Sequence, residues 1–373
     1  MLAAAPDKAT IRLKAARLLA HFQSRGAQVV EADILQPAET LLDLYGEDIR
    51  ARAYVTADPL RGEMMLRPDF TVPVVQMHMA HGAEPARYAY MGEVFRRQEH
   101  LGPRASEYMQ VGYELFDRGD AAAADAEVFA AIAEVLAPLG LRAVIGDIGL
   151  LRAAVAGLST TAPRRAALMR HIWRPGRFRA LLERFSGQSP ACEARAAMLR
   201  RFEAARPEAL IAEAGPLIGK RSAEEITARV AALRADAQEP PIPADEVALL
   251  ARLLDLKGPV AVVLPDLRDL AGQIPAIAPA VAGLEARLDA LAALGHPAEA
   301  LEFEASYGRT QMEYYDGFVF GFLAGQGDLP PVATGGRYDA LTAVLGAGAA
   351  IPAVGGVIRP GVVARLKAEG GAA

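Results

Sequence analysis

The segment SEYMQVGYELF, residues 106–116, alternates between two kinds of side chain. Successive side chains of a β-strand point to opposite faces, so each set shares one face. One set is Met109, Val111, Tyr113 and Leu115, and the other is Tyr108, Gln110, Gly112 and Glu114. The segment therefore predicts a strand with one apolar core face and one polar face.

The polar face of this strand allows two interpretations. It is either exposed to solvent, as is common in antiparallel sheets, or covered by another part of the chain. If it is covered, Glu114 needs a cation or hydrogen-bond donors, because an unpaired buried carboxylate is costly. The segment alone is compatible with both interpretations.

The segment RYAYMGEVFRRQEH, residues 87–100, has the same alternation, and a loop with Gly102 and Pro103 follows it. The two segments predict a pair of antiparallel strands. Arg96 shares a strand face with Tyr90 and Gly92, and a guanidinium there can bind a carboxylate or a phosphate. Gly92 either lets another group approach the backbone or marks a bulge.

Composition excludes several classes of protein. The net charge of −5 over 373 residues predicts no nucleic-acid partner. The longest apolar runs are far shorter than the roughly 20 residues that span a bilayer, so we expect no membrane protein. The single cysteine, Cys192, excludes an internal disulfide and is typical of a cytoplasmic protein.

Strand patterns occur in two parts of the chain, which predicts an α+β domain formed by 1–162 and 301–373. Residues 163–300 are rich in Ala, Leu, Arg and Glu and predict a mostly helical insertion, with one candidate strand at PVAVVL, residues 259–264. Residues 163–206 contain 11 Arg against three Glu. This stretch is either an ordinary solvated helix face or a patch for an anionic partner.

Two turns carry polar residues. Asp69 and Thr71 precede a helical pattern, where both residue types are typical caps. Gly335 and Gly336 before Arg337 predict a tight turn, and the chain has no glycine-rich phosphate-binding motif. No spacing of His, Cys, Asp and Glu predicts a metal site, so we expect neither a metal nor a cofactor.

Five stretches, in this order along the chain, resemble the histidyl-tRNA synthetases, a family of class II aminoacyl-tRNA synthetases. They are MMLRPDFTVP (64–73), YMGEVFRRQEH (90–100), RASEYMQVGYELF (104–116), EYYDGFVF (313–320) and TGGRYDAL (334–341). GAQVVEADILQP, residues 26–37, is similar to the first class II motif, which forms the dimer interface. The resemblance implies an antiparallel sheet flanked by helices, with a helical insertion between the second and third motifs.

The resemblance also implies a pocket for the amino acid histidine. Its ammonium group would be held by Asp69, where the family has Glu, together with Thr71 and Gln110. Its carboxylate lacks the usual partner, and Arg96 is our candidate for that role.

The imidazole of the ligand would lie between Glu114 and Tyr315, with Tyr314 alongside, if the resemblance holds residue by residue. Imidazole has two distinct ring nitrogens, so a carboxylate and a phenol can together distinguish it from other side chains. The strand pattern EYYDGFVFGFL, residues 313–323, would carry both tyrosines.

The chain departs from the synthetase pattern where ATP chemistry is performed. Thr310 stands where the family has its catalytic Arg, and Ser106 replaces the second Arg of an Arg-x-Arg pair, leaving Arg104. Arg359 does not fit the ending of the third motif, so the motif Arg is missing or misplaced. Losing one donor to a developing charge costs about 100- to 1000-fold in rate, so we expect no adenylate formation. Arg104 and Arg337 remain candidate anion-binding residues.

A retained amino-acid pocket with eroded ATP chemistry, in a sequence that ends shortly after the third motif, resembles the regulatory subunits of ATP phosphoribosyltransferase. That resemblance implies a non-enzymatic subunit acting at the first step of histidine biosynthesis. Its partners would be L-histidine and the short-form catalytic subunit, with a homodimer inside a hetero-oligomer, a hetero-octamer. Two alternatives are an active histidyl-tRNA synthetase and a class II-like ATP-dependent amino-acid ligase.

Overall fold

The computed structural model describes residues 6–45, 49–98, 105–190, 192–309, 314–325 and 329–370. The chain divides into two compact units, Met1–Ala153 with Arg252–Ala373, and Ala154–Ala251. The second unit is shorter than the insertion expected at 163–300, because residues 252–300 group with the first unit. The bounds of the insertion as a domain therefore stay a prediction.

In the described part of the first unit, nine strands form one sheet. In spatial order they are β1 (Gln28–Val29), β5 (Ala86–Phe95), β6 (Glu107–Phe116), β12 (Ala353–Ile358), β11 (Ala333–Arg337), β10 (Phe318–Leu323), β7 (Arg142–Asp147), β9 (Glu302–Glu304) and β8 (Lys257–Pro259). Neighbouring strands are antiparallel except β1 with β5 and β7 with β9. A second sheet has the order β2 (Leu35–Pro37), β4 (Gly62–Leu66) and β3 (Val55–Asp58).

Helices cover this sheet and make up most of the second unit. Through residue 156 they are α1 (Lys8–Ser24), α2 (Ala38–Tyr45), α3 (Ile49–Arg52), α4 (Thr71–His81), α5 (Ala121–Leu136) and α6 (Ile148–Ala156). They continue with α7 (Ala162–Arg170), α8 (Pro175–Phe185), α9 (Glu193–Ala204), α10 (Pro207–Glu213), α11 (Ala223–Gln238) and α12 (Ala244–Asp255). The last four are α13 (Val260–Gln273), α14 (Ala278–Ala293), α15 (Asp339–Leu345) and α16 (Pro360–Gly370), and short 3₁₀ turns lie at Ala137–Leu139, Pro275–Ile277 and Ala298–Ala300. A mostly antiparallel sheet flanked by helices confirms the predicted fold class.

The two alternating segments form the predicted antiparallel pair, with Gly92 opposite Gln110 and Tyr90 opposite Gly112. The pairing runs from residue 86 to 95 without interruption, which excludes a bulge at Gly92. A Cβ at Gly92 would lie 2.6 Å from Nη2 of Arg67, so this glycine admits another side chain. The approaching group thus comes from the chain itself.

Three local predictions were wrong. PVAVVL is not a strand of its own: Pro259 ends β8, and the other five residues begin α13, whose buried Val260, Val263 and Leu267 recur at helical spacing. Periodicity alone does not separate a short apolar strand from a buried helix, which explains the error. The strand at EYYDGFVFGFL begins only at Phe318, since Tyr314 lies in a turn.

Gly335 and Gly336 do not form a tight turn but lie inside β11, between β10 and β12. Neither has a positive φ angle. A Cβ at Gly335 would lie 2.2 Å from Cζ of Phe320 and 2.5 Å from the backbone oxygen of Gly355. Glycine is therefore required here by close packing and not by backbone conformation.

We expect Gly335→Ala to lower the free energy of unfolding by about 1–3 kcal/mol, because the added methyl group overpacks the sheet. Urea denaturation measures the change. Gly283→Ala is the matched control: Gly283 is exposed within α14, with no atom within 4 Å of an added Cβ. It should raise stability by roughly 0.5–1 kcal/mol through helix propensity. Unchanged stability of Gly335→Ala would contradict the close approach of β11 and β12.

Candidate functional site

A cavity of about 750 Å³ lies over the polar face of the central strands. Its volume falls in the range of small-molecule sites, about 300–1,000 Å³. The sequence-predicted residues on its wall are Asp69, Thr71, Arg96, Gln110, Tyr314 and Tyr315. The structure therefore brings together residues from three distant parts of the chain.

Glu114, the remaining pocket residue predicted from the sequence, is buried behind this wall and is 1% exposed. Its Oε1 accepts hydrogen bonds from the hydroxyls of Tyr90 at 2.8 Å and Thr71 at 3.1 Å. Its Oε2 accepts one from the hydroxyl of Tyr338 at 2.6 Å. The polar face is thus covered, and hydroxyl donors satisfy the carboxylate.

The protonation of this cluster follows from its burial. Desolvation raises the pKa of Glu114 to about 7, although the hydrogen bonds from Tyr338, Tyr90 and Thr71 lower it in part. Burial, and then the charge of Glu114, raise the pKa values of Tyr90 and Tyr338 well above the ordinary value of 10. Both phenols therefore keep their protons and act as donors to the carboxylate.

Two glycines make room for the cluster. Gly355 on β12 lies opposite Glu114 on β6, and a Cβ there would lie 1.4 Å from Oε2 of Glu114. A Cβ at Gly112 would lie 2.1 Å from the ring of Tyr90. Any side chain at either position would displace the groups that hold the carboxylate.

Polar groups at the start of α4 and on β6 face the cavity beside this cluster. Asp69 is buried, and its Oδ1 accepts a hydrogen bond from the backbone N–H of Val72 at 3.3 Å. Asp69 lies one residue before Phe70, the N-cap of α4, which makes no side-chain capping bond. Gln110 is 1% exposed, and its Oε1 has no hydrogen-bond partner within the described residues. The cavity wall therefore includes one carboxylate and one carbonyl oxygen without a hydrogen-bond partner among the described residues, both at positions predicted from the sequence.

Two tyrosines form an aromatic wall. The ring of Tyr314 packs edge-on to Tyr315 at 5.0 Å and to Tyr338 at 5.9 Å between centroids. The hydroxyl of Tyr314 donates to Oγ1 of Thr71 at 3.3 Å. Burial, with the charge of Glu114, raises the pKa of Tyr315, so that its phenol stays protonated.

Among the described residues, six arginines line the cavity, and two of them, Arg96 and Arg359, donate to backbone carbonyl oxygens. Nε of Arg96 donates to the backbone oxygen of Pro68 at 2.9 Å, and Nη1 of Arg359 donates to that of Pro331 at 2.7 Å. Burial lowers the pKa of Arg359, and the positive charge of Arg96 contributes to the same shift. Arg359, which the sequence placed outside a working third motif, therefore lies in the same site as Arg96.

One of the two candidate anion-binding residues, Arg337, does not lie on this wall. Arg337 is buried outside the cavity lining and is bonded to the carboxylates of Asp125 and Asp339. Its donors are thus directed at protein groups. Arg104 and Thr310 lie outside the described residues.

Sequence reasoning missed the two tyrosines that hold Glu114. The role of Tyr90 could have been inferred from the sequence, because Tyr90 shares a strand face with Gly92. In the structure it pairs with Gly112 on the neighbouring strand. Tyr338 is 224 positions from Glu114, and no local pattern connects them.

Searches for other kinds of site were negative for the described residues. No group of three or more His, Cys, Asp and Glu side chains there could hold a metal ion. Within the same residues, no helix has the length and apolar character needed to cross a membrane.

Comparison with known proteins gives consistent matches. A sequence model of the family described as Histidyl-tRNA synthetase matches residues 4–241 and 223–360. The ATP phosphoribosyltransferase regulatory subunit of Mesorhizobium japonicum is 32% identical, over 91% of this chain and 94% of its own length. That of Brucella ovis is 33% identical, over 91% of this chain and 93% of its own length.

Solved structures share the fold. The ATP phosphoribosyltransferase regulatory subunit/histidyl-tRNA synthetase of Bacillus halodurans superposes with a TM-score of 0.66 at 20% identity, over 96% of this chain and 79% of that one. Histidyl-tRNA synthetase from Nostoc sp. gives a TM-score of 0.64 at 18% identity, over 99% of this chain and 75% of that one. The fold is that of a class II histidyl-tRNA synthetase-like protein. The chain belongs to the histidyl-tRNA synthetase family and, within it, to the ATP phosphoribosyltransferase regulatory subunits, as the sequence resemblance predicted.

We expect Glu114→Gln to remove a pH dependence of stability. Because the pKa of Glu114 is raised from 4.5 to about 7, its contribution to the free energy of unfolding is fully present below the lower value and is lost as the pH rises through the higher one. The difference in the free energy of unfolding between the parent and the variant should change by on the order of 3 kcal/mol across that pH range. Urea denaturation at a series of pH values measures it.

Glu127→Gln provides a control of opposite sign. Burial raises the pKa of Glu127, but hydrogen bonds from Arg87 and Tyr113 outweigh it and the net shift is downward. The contribution of Glu127 should therefore be lost as the pH falls. Parallel pH profiles for the parent and Glu114→Gln would show that the carboxylate is not buried as described.

Proposed function

We propose that the cavity binds L-histidine and that the protein is a non-catalytic regulatory subunit of ATP phosphoribosyltransferase. The observation that carries the ligand assignment is the buried carbonyl oxygen of Gln110, which has no hydrogen-bond partner among the described residues and lines the cavity with Asp69. A buried acceptor without a partner is costly unless a ligand or water donates to it. An ammonium group supplies such donors, and the carboxylate of Asp69 balances its charge.

The imidazole would lie next to Glu114 in the proposed pocket. A carboxylate has about four lone-pair positions, and three hydroxyls occupy three of those on Glu114. One position on Oε2 remains for a ring N–H of the ligand. Tyr315, whose phenol stays protonated, would serve the second ring nitrogen, with Tyr314 packed alongside.

The non-catalytic role rests on the sequence and on the relatives. Thr310 replaces the Arg that would stabilise charge in adenylate formation. Curated relatives at 32–33% identity carry the name of a regulatory subunit. We therefore propose that the polar pocket is kept for ligand binding while the ATP reaction is lost.

Regulation would operate through assembly with the short-form catalytic subunit in the cytoplasm, at the first step of histidine biosynthesis. We propose a homodimer within a hetero-octamer that the catalytic subunit needs for its activity. Histidine bound in the cavity would shift the assembly between more and less active states, and typical coupling energies are about 1–3 kcal/mol. By reciprocity, assembly would change the affinity for histidine by the same factor.

Calorimetric titration of L-histidine without ATP tests the pocket. Gln110→Met should weaken binding by about 10- to 100-fold, because it removes an acceptor for a charged donor. Gln36→Met is the matched control: Gln36 is also buried, but it donates to the backbone oxygen of Asp33 and does not line the cavity. The Gln36→Met variant should bind histidine with the same affinity as the parent.

Failure of histidine to bind the parent, alone and in complex with the catalytic subunit, would reject the ligand assignment. ATP–pyrophosphate exchange stimulated by an amino acid would reject the non-catalytic role in favour of a ligase or an active synthetase. Absence of any effect on the short-form catalytic subunit would reject the regulatory role.

The role of Arg96 has its own test. If its guanidinium pairs with the ligand carboxylate, Arg96→Met should weaken histidine binding by about 10- to 100-fold. Histamine lacks the carboxylate, so its affinity should be the same for parent and variant. Equal losses for histidine and histamine would show that Arg96 supports the pocket without contacting the carboxylate.

A further inference from the structure

A network of buried charges lies apart from the cavity wall. Asp125 of α5 is 0% exposed, and two arginines bind its two oxygens. Nη2 of Arg337 donates to Oδ1 at 2.7 Å, and Nε of Arg287 donates to Oδ2 at 2.7 Å. One carboxylate therefore joins the end of β11 to helix α14.

Each arginine also has a second partner. Nη1 of Arg337 donates to Oδ1 of Asp339 at 3.0 Å, and Nη1 of Arg287 donates to Oδ2 of Asp147 at 2.9 Å. Oδ1 of Asp339 in turn accepts from the backbone N–H of Ala353 at 2.8 Å. The two residues on either side of Tyr338 are thus bonded to each other, to helix α5 and to strand β12.

Tyr338 connects this network to the candidate site. Its backbone N–H donates to the oxygen of Ala353 at 2.9 Å, and its hydroxyl donates to Oε2 of Glu114 at 2.6 Å. The backbone oxygen of Arg337 accepts from the N–H of Asp316 at 3.0 Å, directly after Tyr315. Two tyrosines of the site therefore depend on where the backbone of Arg337 lies.

Stability alone does not account for such a network. Buried ion pairs pay a large desolvation cost, and apolar residues of similar volume are often as stabilising. Apolar residues cannot, however, fix a backbone through several directed bonds at once. The backbone around Tyr338 has to be held in one orientation for the hydroxyl of Tyr338 to reach Glu114.

We propose that Arg337 and Asp125 are positioning residues for the amino-acid site, acting through Tyr338, and that Arg287 makes helix α14 part of the same support. The inference rests on the proposed function for the identity of the ligand. The positioning itself concerns Glu114 and can be measured without a ligand.

The ligand-free test compares Tyr338→Phe, Arg337→Lys and the double variant. The hydrogen bond from Tyr338 lowers the pKa of Glu114, so its loss moves the titration of Glu114 to higher pH. Tyr90, Thr71 and Asp69 also act on Glu114 and are unchanged in these variants. The pH at which the contribution of Glu114 to stability is lost should therefore rise in each single variant, with no further rise in the double variant.

The ligand test uses the same proteins. Each single variant should bind histidine about tenfold more weakly, and the double variant no more weakly than the weaker single one, because both remove one interaction. Lysine keeps the positive charge beside Asp125 but lacks the fork that reaches Asp339 as well. Arg337→Lys should therefore keep more thermal stability than Arg337→Met while showing the same loss of affinity. Arg287→Lys should likewise weaken histidine binding and move the titration of Glu114 to higher pH.

The second unit offers a matched control. Arg164 is buried and its Nε donates to Oδ1 of Asp236 at 2.6 Å. Arg164→Lys should lower thermal stability without altering histidine affinity or the titration of Glu114. If Arg337→Lys does not fold, Asp125→Asn takes the place of that variant in every comparison, because the amide keeps the shape of the carboxylate.

Additive losses in the double variant, or full affinity and an unshifted Glu114 titration in Arg337→Lys, would overturn the positioning role. A parent that binds no histidine, alone or in complex with the catalytic subunit, would reject the ligand assignment, while the ligand-free titration would still decide the role of Arg337. Coincident shifts in Arg337→Lys and Tyr338→Phe would establish it.

Discussion

The site is organised around a buried carboxylate whose hydrogen-bond donors, within the described part of the chain, are hydroxyl groups and not a cation. Glu114 is satisfied by three hydroxyl groups, from Tyr90, Thr71 and Tyr338. Neutral donors stabilise a carboxylate less than a guanidinium does, so burial prevails and the pKa rises to about 7. A carboxylate held in this way keeps part of its capacity to accept hydrogen bonds, whereas a bidentate ion pair with arginine would consume it.

This requirement explains the glycine-rich strands around the site. Three hydroxyl-bearing side chains have to converge on one carboxylate between strands about 4.7–4.9 Å apart, which leaves no room for further side chains. Gly112 and Gly355 supply the space for Tyr90 and for Glu114 itself. Gly335 and Gly336 do the same for the aromatic side chains of the neighbouring strand and turn. The glycines thus shape the candidate site although none of them contributes a functional group.

Charge is separated between two regions of the first unit. The ion pairs of Arg287 and Arg337 with Asp125 are buried away from the cavity. Among the arginines that line the cavity, Arg96 donates to the backbone oxygen of Pro68 and Arg359 to that of Pro331. An amino acid carries both signs of charge, and the cavity offers Asp69 for one and these guanidinium groups for the other. The residues of the buried ion pairs are not part of the cavity lining, so they do not take up its charged groups.

Sequence alone determined the antiparallel pair of strands, the class II fold, the helix beginning at Thr71 and six of the residues that line the cavity, because strand period and ordered motifs are local properties. It did not determine that PVAVVL is helical or that the glycines before Arg337 lie inside a sheet, because short apolar runs and Gly-Gly pairs occur in several local structures. Only the tertiary structure decided that Glu114 lies behind the cavity wall, that Tyr338 reaches it from more than 200 residues away, and that Arg337 faces Asp125. Those facts depend on which distant segments meet around a buried charge, and the energy of burying that charge appears only when the chain has folded around it.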